Sequence, residues 1–162
     1  MEYRKLLEQC LLLAKESGNK GDYPIGALIA DEDERVIASA GNQNTSSGDI
    51  SAHAETLCVR QAGIKNLSKD LNVKTVLFSS EEPCSGCSFF IARTNISKVV
   101  WALSDPHREG LRGLKVSKEY GNLFTNIEIE AEPFEDLRAQ SLELLKTYFI
   151  SKNNQKMAEI HS

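Results

Sequence analysis

Cysteine is scarce in this sequence, with four in 162 residues. The opening Met1-Glu2-Tyr3-Arg4-Lys5 lacks the apolar core and cleavage site of a secretory leader. Together these argue against a disulfide framework and leave the cysteines as thiols or metal ligands. No apolar run approaches the ~20 residues of a membrane span, so no membrane partner is expected. Basic surplus is also missing: 19 Lys and Arg stand against 23 Asp and Glu, a net charge of -4. That balance argues against a general nucleic-acid binder while leaving room for a local basic patch. There is no internal repeat, low-complexity tract or linker. What is present, 41% hydrophobic and 26% charged residues, is the mix of one globular domain. The expectation is a cytoplasmic protein with one domain over residues 1–150 and a polar tail over 151–162.

Periodicity predicts the elements. Tyr3, Leu6, Leu7, Cys10, Leu13, Ala14 and Ser17 recur at helical spacing, giving a helix over 2–17 that Gly18-Asn19 stop. Strands over 25–30 and 35–40 flank an acidic turn and form a hairpin. A polar loop over 41–50 leads to a helix over about 51–62, with Ser51 as its N-cap and Gly63 as its end. A buried strand over 73–79, a helix over 85–94 and a strand over 98–103 make a βαβ unit, hence a parallel pair. On that helix Cys87, Phe90 and Ile91 share a face. An edge strand over 126–130 and a helix from Phe134 complete the order. The sum is a mixed five-stranded sheet with helices on both faces. Residues 104–122 resist assignment.

Two short stretches carry chemistry: Ala52-His53-Ala54-Glu55 and Pro83-Cys84-Ser85-Gly86-Cys87. One imidazole and two thiolates have the softness that zinc prefers, and they leave a tetrahedral site one ligand short. Such a site keeps a water and lowers its pKa towards ~7. Glu55, two residues from His53, is then the proton carrier. Both stretches begin helices, whose free N–H groups favour thiolates. Pro83 suits a helix entry because it needs no N–H partner. A redox C-x-x-C is the competing reading, but it gives His53 and Glu55 no work. A structural zinc needs a fourth protein ligand, and Cys10, Cys58, His107 and His161 lack ligand-like spacing. Cys10 and Cys58 read as core, and Trp101 as core or as a stacking surface for a base. His107 reads as a surface residue, with substrate contact as the alternative. Glu81 and Asp105 remain candidates for the pocket. His107, Arg108, Arg112, Lys115 and Lys118 form a basic cluster that reads as a solvated loop face or a phosphate contact.

His-x-Glu followed by Pro-Cys-x-x-Cys resembles the cytidine deaminase superfamily. The likeness runs from about Leu6 to Ile150. It is nearest the branch that holds guanine, fungal-type cytosine and bacterial tRNA-adenosine deaminases. Pro24-Ile25-Gly26-Ala27, Asn42 and Glu82-Pro83-Cys84 match that branch. The resemblance implies a three-layer fold, one zinc per subunit on His53, Cys84 and Cys87, and Glu55 as catalytic proton shuttle. It also implies substrate contacts from Asn42, Ala54, Ile25 and Gly26, help from the Cys84 carbonyl, and a homodimer. The implied reaction is hydrolytic deamination of a small nucleobase or nucleoside, guanine- or cytosine-type. Editing of tRNA wobble adenosine is the alternative, and a non-catalytic zinc-stabilised binding protein the third reading. Gly86, and Asp49-Ile50-Ser51-Ala52 ahead of the histidine, depart from the tRNA enzymes.

Overall fold

The computed structural model describes residues 2–107 and 110–154, with 157 and 159. Arg108 and His161 lie outside the described residues. The first helix, α1 (Tyr3–Asn19), buries Leu6, Leu7, Cys10, Leu11, Ala14 and Ser17, the stripe that the spacing predicts. Strands β1 (Gly26–Asp31) and β2 (Val36–Gly41) pair antiparallel, with Gly26 opposite Gly41. Asp31 Oδ1 closes their turn by accepting the N–H groups of Asp33 and Arg35, each at 2.9 Å. The acidic turn is thus an Asx-type turn as well as a solvated tip.

On its other edge β1 pairs antiparallel with β3 (Thr75–Glu81). β3 then runs parallel to β4 (Ile96–Leu103), which runs parallel to β5 (Glu128–Ala131). The sheet order is β2-β1-β3-β4-β5, mixed and five-stranded as expected, with β5 at an edge. β3 begins and ends two residues later than the apolar pattern suggests. The partner strand sets this register: Asp31 faces Thr75 and Ala27 faces Ser79, which leaves Val73 exposed before the sheet begins.

Side-chain alternation divides the core into two layers. Leu28, Ala30, Phe78, Val100 and Ala102 pack beneath α1 and α6 (Glu135–Ser151). Ala27, Ile29, Leu77, Val99 and Trp101 face α3 (Ala54–Leu67) and α4 (Ser85–Ile91). Trp101 is wholly buried and its indole N–H donates to Ser104 Oγ at 3.0 Å, so it is core and not a stacking surface. Gly26 and Gly41 let α1 lie against the hairpin. A Cβ on Gly26 would stand 2.2 Å from the Cys10 carbonyl oxygen and 2.7 Å from the Ala14 nitrogen.

Four local expectations need correction. The polar loop holds a one-turn helix, α2 (Asn44–Ser47), because buried Asp22 accepts the N–H groups of Thr45 and Ser46 at 2.8 Å. The N-cap of α3 is His53 and not Ser51, whose hydroxyl is taken by Asp49 at 2.7 Å. Gly63 does not end α3 outright: at φ 62° it kinks a helical path that continues to Leu67. On α4, which stops at Ile91, Cys87 and Ile91 point inward while Phe90 is half exposed.

The unassigned stretch contains α5 (Leu111–Lys115) and a 3-10 turn (Gly121–Phe124). Two cations of the supposed solvated face turn inward here. Arg112 bonds Glu82, and the Lys115 ammonium donates to the carbonyls of Phe124 and Ile127 at 2.8 and 2.6 Å. Among the described residues no helix is long and apolar enough to cross a membrane.

Candidate metal centre

Three chain segments meet at the carboxyl end of β3. His53 ends an extended segment and hands the chain to α3, with φ -72° and ψ 148°. Cys84 plays the same part for α4, with φ -62° and ψ 168°. Cys87 follows in the first turn of α4. The two helices lie side by side on one face of the sheet, which brings the ligands together. Cys84 Sγ lies 3.6 Å from His53 Nδ1 and 3.5 Å from Cys87 Sγ. The three ligand atoms fall within 4.8 Å of one another. Tetrahedral zinc with Zn–S near ~2.3 Å and Zn–N near ~2.0 Å separates its ligand atoms by roughly 3.5–3.8 Å. The donor set and its spacing therefore fit zinc.

The surroundings hold the ligands in place. Thr56 Oγ1 lies 3.3 Å from Cys87 Sγ. Ser88 Oγ donates to the Cys84 carbonyl at 2.8 Å, fixing the loop that carries the first cysteine. Glu55, on the first turn of α3, is 3% exposed. Its Oε1 accepts from Ser79 Oγ at 3.2 Å, and its Oε2 lies 3.6 Å from Cys87 Sγ. The carboxyl thus stands beside the cluster, held by a strand residue.

Electrostatics matches the geometry. The proton on Cys87, pointed at Cys84, holds the Cys84 thiol down at about 4, with His53 adding to the effect. The same bond, then burial, pushes Cys87 up. The pair thus favours the thiolate on Cys84, the form in which a cysteine binds metal. His53 is raised by its bond to Cys84, and burial raises Glu55. Burial also pushes up Cys10 and Cys58, and the Cys58 thiol donates to the Ala27 carbonyl at 3.2 Å. Both are core thiols remote from metal chemistry.

The remaining residues singled out by sequence fall at different distances from this chemistry. Asn42 is buried; its N–H donates to the Ile25 carbonyl at 2.8 Å, and its Oδ1 accepts from the Asn44 N–H at 3.0 Å. Ala54, wholly buried, opens α3, so its N–H has no intrahelical partner. Ile25 packs against the site-side core. The bare side of Gly26 faces α1, and its N–H donates to Ser80 Oγ at 3.1 Å. His107 is exposed, and Asp105 Oδ1 accepts its N–H at 3.0 Å. A groove of about 890 Å³ between α1 and α6, lined by Leu11, Leu12, Leu144 and Tyr148, belongs to the opposite side of the sheet.

Sequence reasoning misses two residues, Ser79 and Thr56, and one pairing, Glu82 with Arg112. Ser79 was legible as the strand position that shares Leu77's face; Thr56 follows Glu55 on α3. The Glu82–Arg112 pair spans thirty positions and had no local signal.

Three ligands on two helix starts, with a buried carboxyl alongside and, among the described residues, no fourth ligand in the cluster, make a site that suits mononuclear zinc on a three-layer α/β frame. The chain belongs to the cytidine and deoxycytidylate deaminase zinc-binding family, whose model matches residues 1–103. It binds one zinc per subunit, and the His53, Cys84 and Cys87 cluster is the site that fits it.

A probable cytosine deaminase from Schizosaccharomyces pombe is 35% identical over 99 residues, 61% of this chain and 59% of its own. A tRNA-specific adenosine deaminase from Haemophilus influenzae is 30% identical over 101 residues, again covering only 58% of its own length. A tRNA-specific adenosine deaminase from Aquifex aeolicus is 30% identical over 152 residues, 91% of this chain and 94% of its own. Among solved structures, guanine deaminase from Nitrosomonas europaea superposes with a TM-score of 0.73 at 22% identity, covering 88% of this chain and 82% of that one. A tRNA deaminase that edits the wobble position gives 0.70 at 24% identity, covering 88% and 99%. These superpositions bear out the expected cytidine-deaminase-like fold.

Proposed function

We propose that this chain is a zinc-dependent hydrolase that removes the amino group of a small nucleobase or nucleoside, guanine- or cytosine-type, as ammonia. The observation that carries this reading is the buried Glu55 carboxyl, held by Ser79 beside a cluster that, among the described residues, supplies three ligands. A zinc retained for stability alone has no use for that carboxyl.

Zinc, when bound, polarises the attacking water. Glu55 accepts a proton from that water and delivers it to the ring nitrogen next to the amino-bearing carbon. Water oxygen bonds to this carbon as its C=N bond opens. Glu55 then carries the second proton to the amine; the C–N bond breaks, ammonia leaves, and a carbonyl remains. Asn42 and the free N–H of Ala54 orient the base, and Ile25 and Gly26 border it. The Cys84 carbonyl, which already accepts from Ser88, has a second lone pair for the amine.

The second reading, deamination of tRNA adenosine, is favoured by the Aquifex relative's match along 94% of its length. The inward courses of Arg112 and Lys115 weigh against it, since they leave fewer cations for phosphates. Ammonia release from guanine, cytosine, adenine, their nucleosides and a tRNA anticodon stem-loop tests both. Release from a free base or nucleoside supports the first reading; release from RNA alone replaces it with the second.

The same reading takes residues 1–150 as the deaminase domain, the cytoplasm as its location, and a homodimer as its working form. Phe90, Val116, Tyr120 and Leu123 are exposed on the two segments that Phe89 joins by its ring contacts to Tyr120 and Phe124. Such a patch suits a second copy. Light scattering that gives a monomer at micromolar concentration overturns the dimer.

A further inference from the structure

Asp22 stands in the turn between α1 and β1 and is wholly enclosed, at 0% exposure. Among the described residues its side-chain hydrogen bonds go only to the start of α2. Oδ1 accepts the N–H groups of Thr45 and Ser46, each at 2.8 Å. Oδ2 is buried and, among the described residues, meets no hydrogen-bond donor.

A buried carboxylate is costly to keep, and an apolar residue fills the same space without that cost. What this carboxylate supplies is a cap. Gln43, in the N-cap position of α2, makes no side-chain bond to the helix, and α2 is a single turn of four residues. So short a turn does not hold itself together, because nucleation costs more than one turn of hydrogen bonds returns. Asp22 takes two of the N–H groups that a helix start leaves open, and it does so with charge-assisted bonds.

The segment held in this way begins at Asn42. The Asn42 N–H donates to the Ile25 carbonyl at 2.8 Å, and the Gln43 N–H to the Ala52 carbonyl at 2.9 Å, one residue before His53. Residues 42–46 thus join the entry of β1 to the approach of the first zinc ligand. Within the segment the Asn44 N–H donates to Asn42 Oδ1 at 3.0 Å. That bond sets the sense of the buried Asn42 amide. Its oxygen is engaged, and its NH2 end keeps two donors that meet no acceptor among the described residues. Loosening the turn at 44–46 removes the bond that fixes this sense.

We propose that Asp22 is a positioning residue for the substrate: it caps α2 from outside the helix and so holds the Asn42 amide with its NH2 end ready for a carbonyl or ring nitrogen of the base. The inference rests on the deaminase reading above, with Asn42 as a substrate contact, and adds the residue that keeps this contact in place. Asp22 acts through α2 and takes no part in the proton transfers.

The test uses zinc-loaded wild type, Asp22→Ala and Asp22→Asn, with zinc content and melting temperature measured for each. Hydrogen–deuterium exchange read by mass spectrometry follows residues 42–47, and ammonia release is followed on guanine, cytosine, adenine and their nucleosides. We expect Asp22→Ala to exchange about tenfold faster over 42–47, with α1 and α6 unchanged. Its KM rises about tenfold while kcat stays within twofold. Asp22→Asn, which keeps an acceptor for both N–H groups, restores both readouts. A purely structural role lowers the melting temperature without this split between KM and kcat. Unchanged exchange in Asp22→Ala overturns the proposal, as does faster exchange with KM within twofold of wild type, or a loss carried by kcat. Should Asp22→Ala lose zinc or fail to fold, Asp22→Ser, whose hydroxyl is one atom short of reaching both N–H groups, is judged by the same criteria. If that variant fails too, Asp22 serves the fold alone and the proposal falls. A wild type that releases no ammonia from any of these compounds refutes the deaminase reading instead. Calorimetry with the same bases then judges Asp22: faster exchange with weaker binding in the variant supports it, and unchanged or absent binding overturns it.

Discussion

Arg112 and Glu82 form a buried ion pair at 2.7 Å that ties α5 to the strand end bearing the metal loop. The Glu82 side chain has no exposure, whereas that of Arg112 keeps 29%. The Arg112 guanidinium also donates to the Asp105 carbonyl at 2.7 Å. Gly110 completes the junction, since a Cβ there would stand 2.5 Å from the Pro83 carbonyl oxygen. One carboxylate thereby holds Asp105 and Arg112 against the Pro83-Cys84 turn.

Removing that carboxylate strands two backbone N–H groups and a guanidinium. Glu82→Leu is expected to lower stability by about 3 kcal/mol, measured by urea denaturation of the zinc-loaded protein. Glu82→Gln, which keeps an acceptor, loses less. A Glu82→Leu variant as stable as wild type removes this pair from the forces that hold the metal loop.

Glu55 and the zinc ligands separate cleanly by mutation. Glu55→Ala is expected to keep one zinc per subunit and lose about 10²- to 10⁴-fold in ammonia release. Ser79→Ala, which frees the Glu55 carboxyl to turn, loses about tenfold with zinc unchanged. Metal analysis beside steady-state rates checks both. Normal turnover by Glu55→Ala ends the proton-shuttle role.

The thiols divide into two pairs. With zinc bound, thiol reagents leave all four cysteines untouched. After chelation Cys84, exposed and low in pKa, reacts first and Cys87 follows. Cys10 and Cys58, which burial pushes up, stay closed even at pH 9 until the chain unfolds. Mass spectrometry of alkylated peptides reads the order. The zinc-free protein also melts at lower temperature, because metal binds only the folded state.

Gly26→Ala tests the seat of α1. The new methyl meets the backbone of Cys10 and Ala14, atoms that cannot swing aside. The expected cost is about 2–3 kcal/mol. Gly41→Ala, whose methyl would stand 2.9 Å from the Leu13 carbonyl oxygen, costs a similar amount. Thermal unfolding of both variants, with zinc content as a control, gives the measurement.

The regions that sequence described well are those with a strong local period. α1 and α6 carry continuous apolar stripes, and β1, buried on both edges, reads as a strand from composition alone. His53, Glu55, Cys84 and Cys87 announce themselves because metal chemistry restricts both residue type and spacing. Residues 104–122 gave no such signal. The described part of this stretch is held by single side-chain bonds, Arg112 to Glu82 and Lys115 to three carbonyls, which leave no periodic trace. The start of α3 differs from the sequence expectation for a related reason: Ser51 suits an N-cap, but Asp49 takes its hydroxyl and His53 turns to Cys84.

Sequence by itself determined the ligand set, the carboxyl that accompanies it and the alternation of strands and helices, because each is written in residue type and near-neighbour spacing. Tertiary structure alone decided which of two adjacent glutamates is enclosed and bonded: Glu82 meets Arg112, whereas Glu81 is part-buried. Neighbours in a strand point to opposite sides, and only the packing of α3 and α5 settles what waits on each side. Local sequence specifies a side chain's chemistry, whereas its partners come from segments that the chain brings back from far along its length.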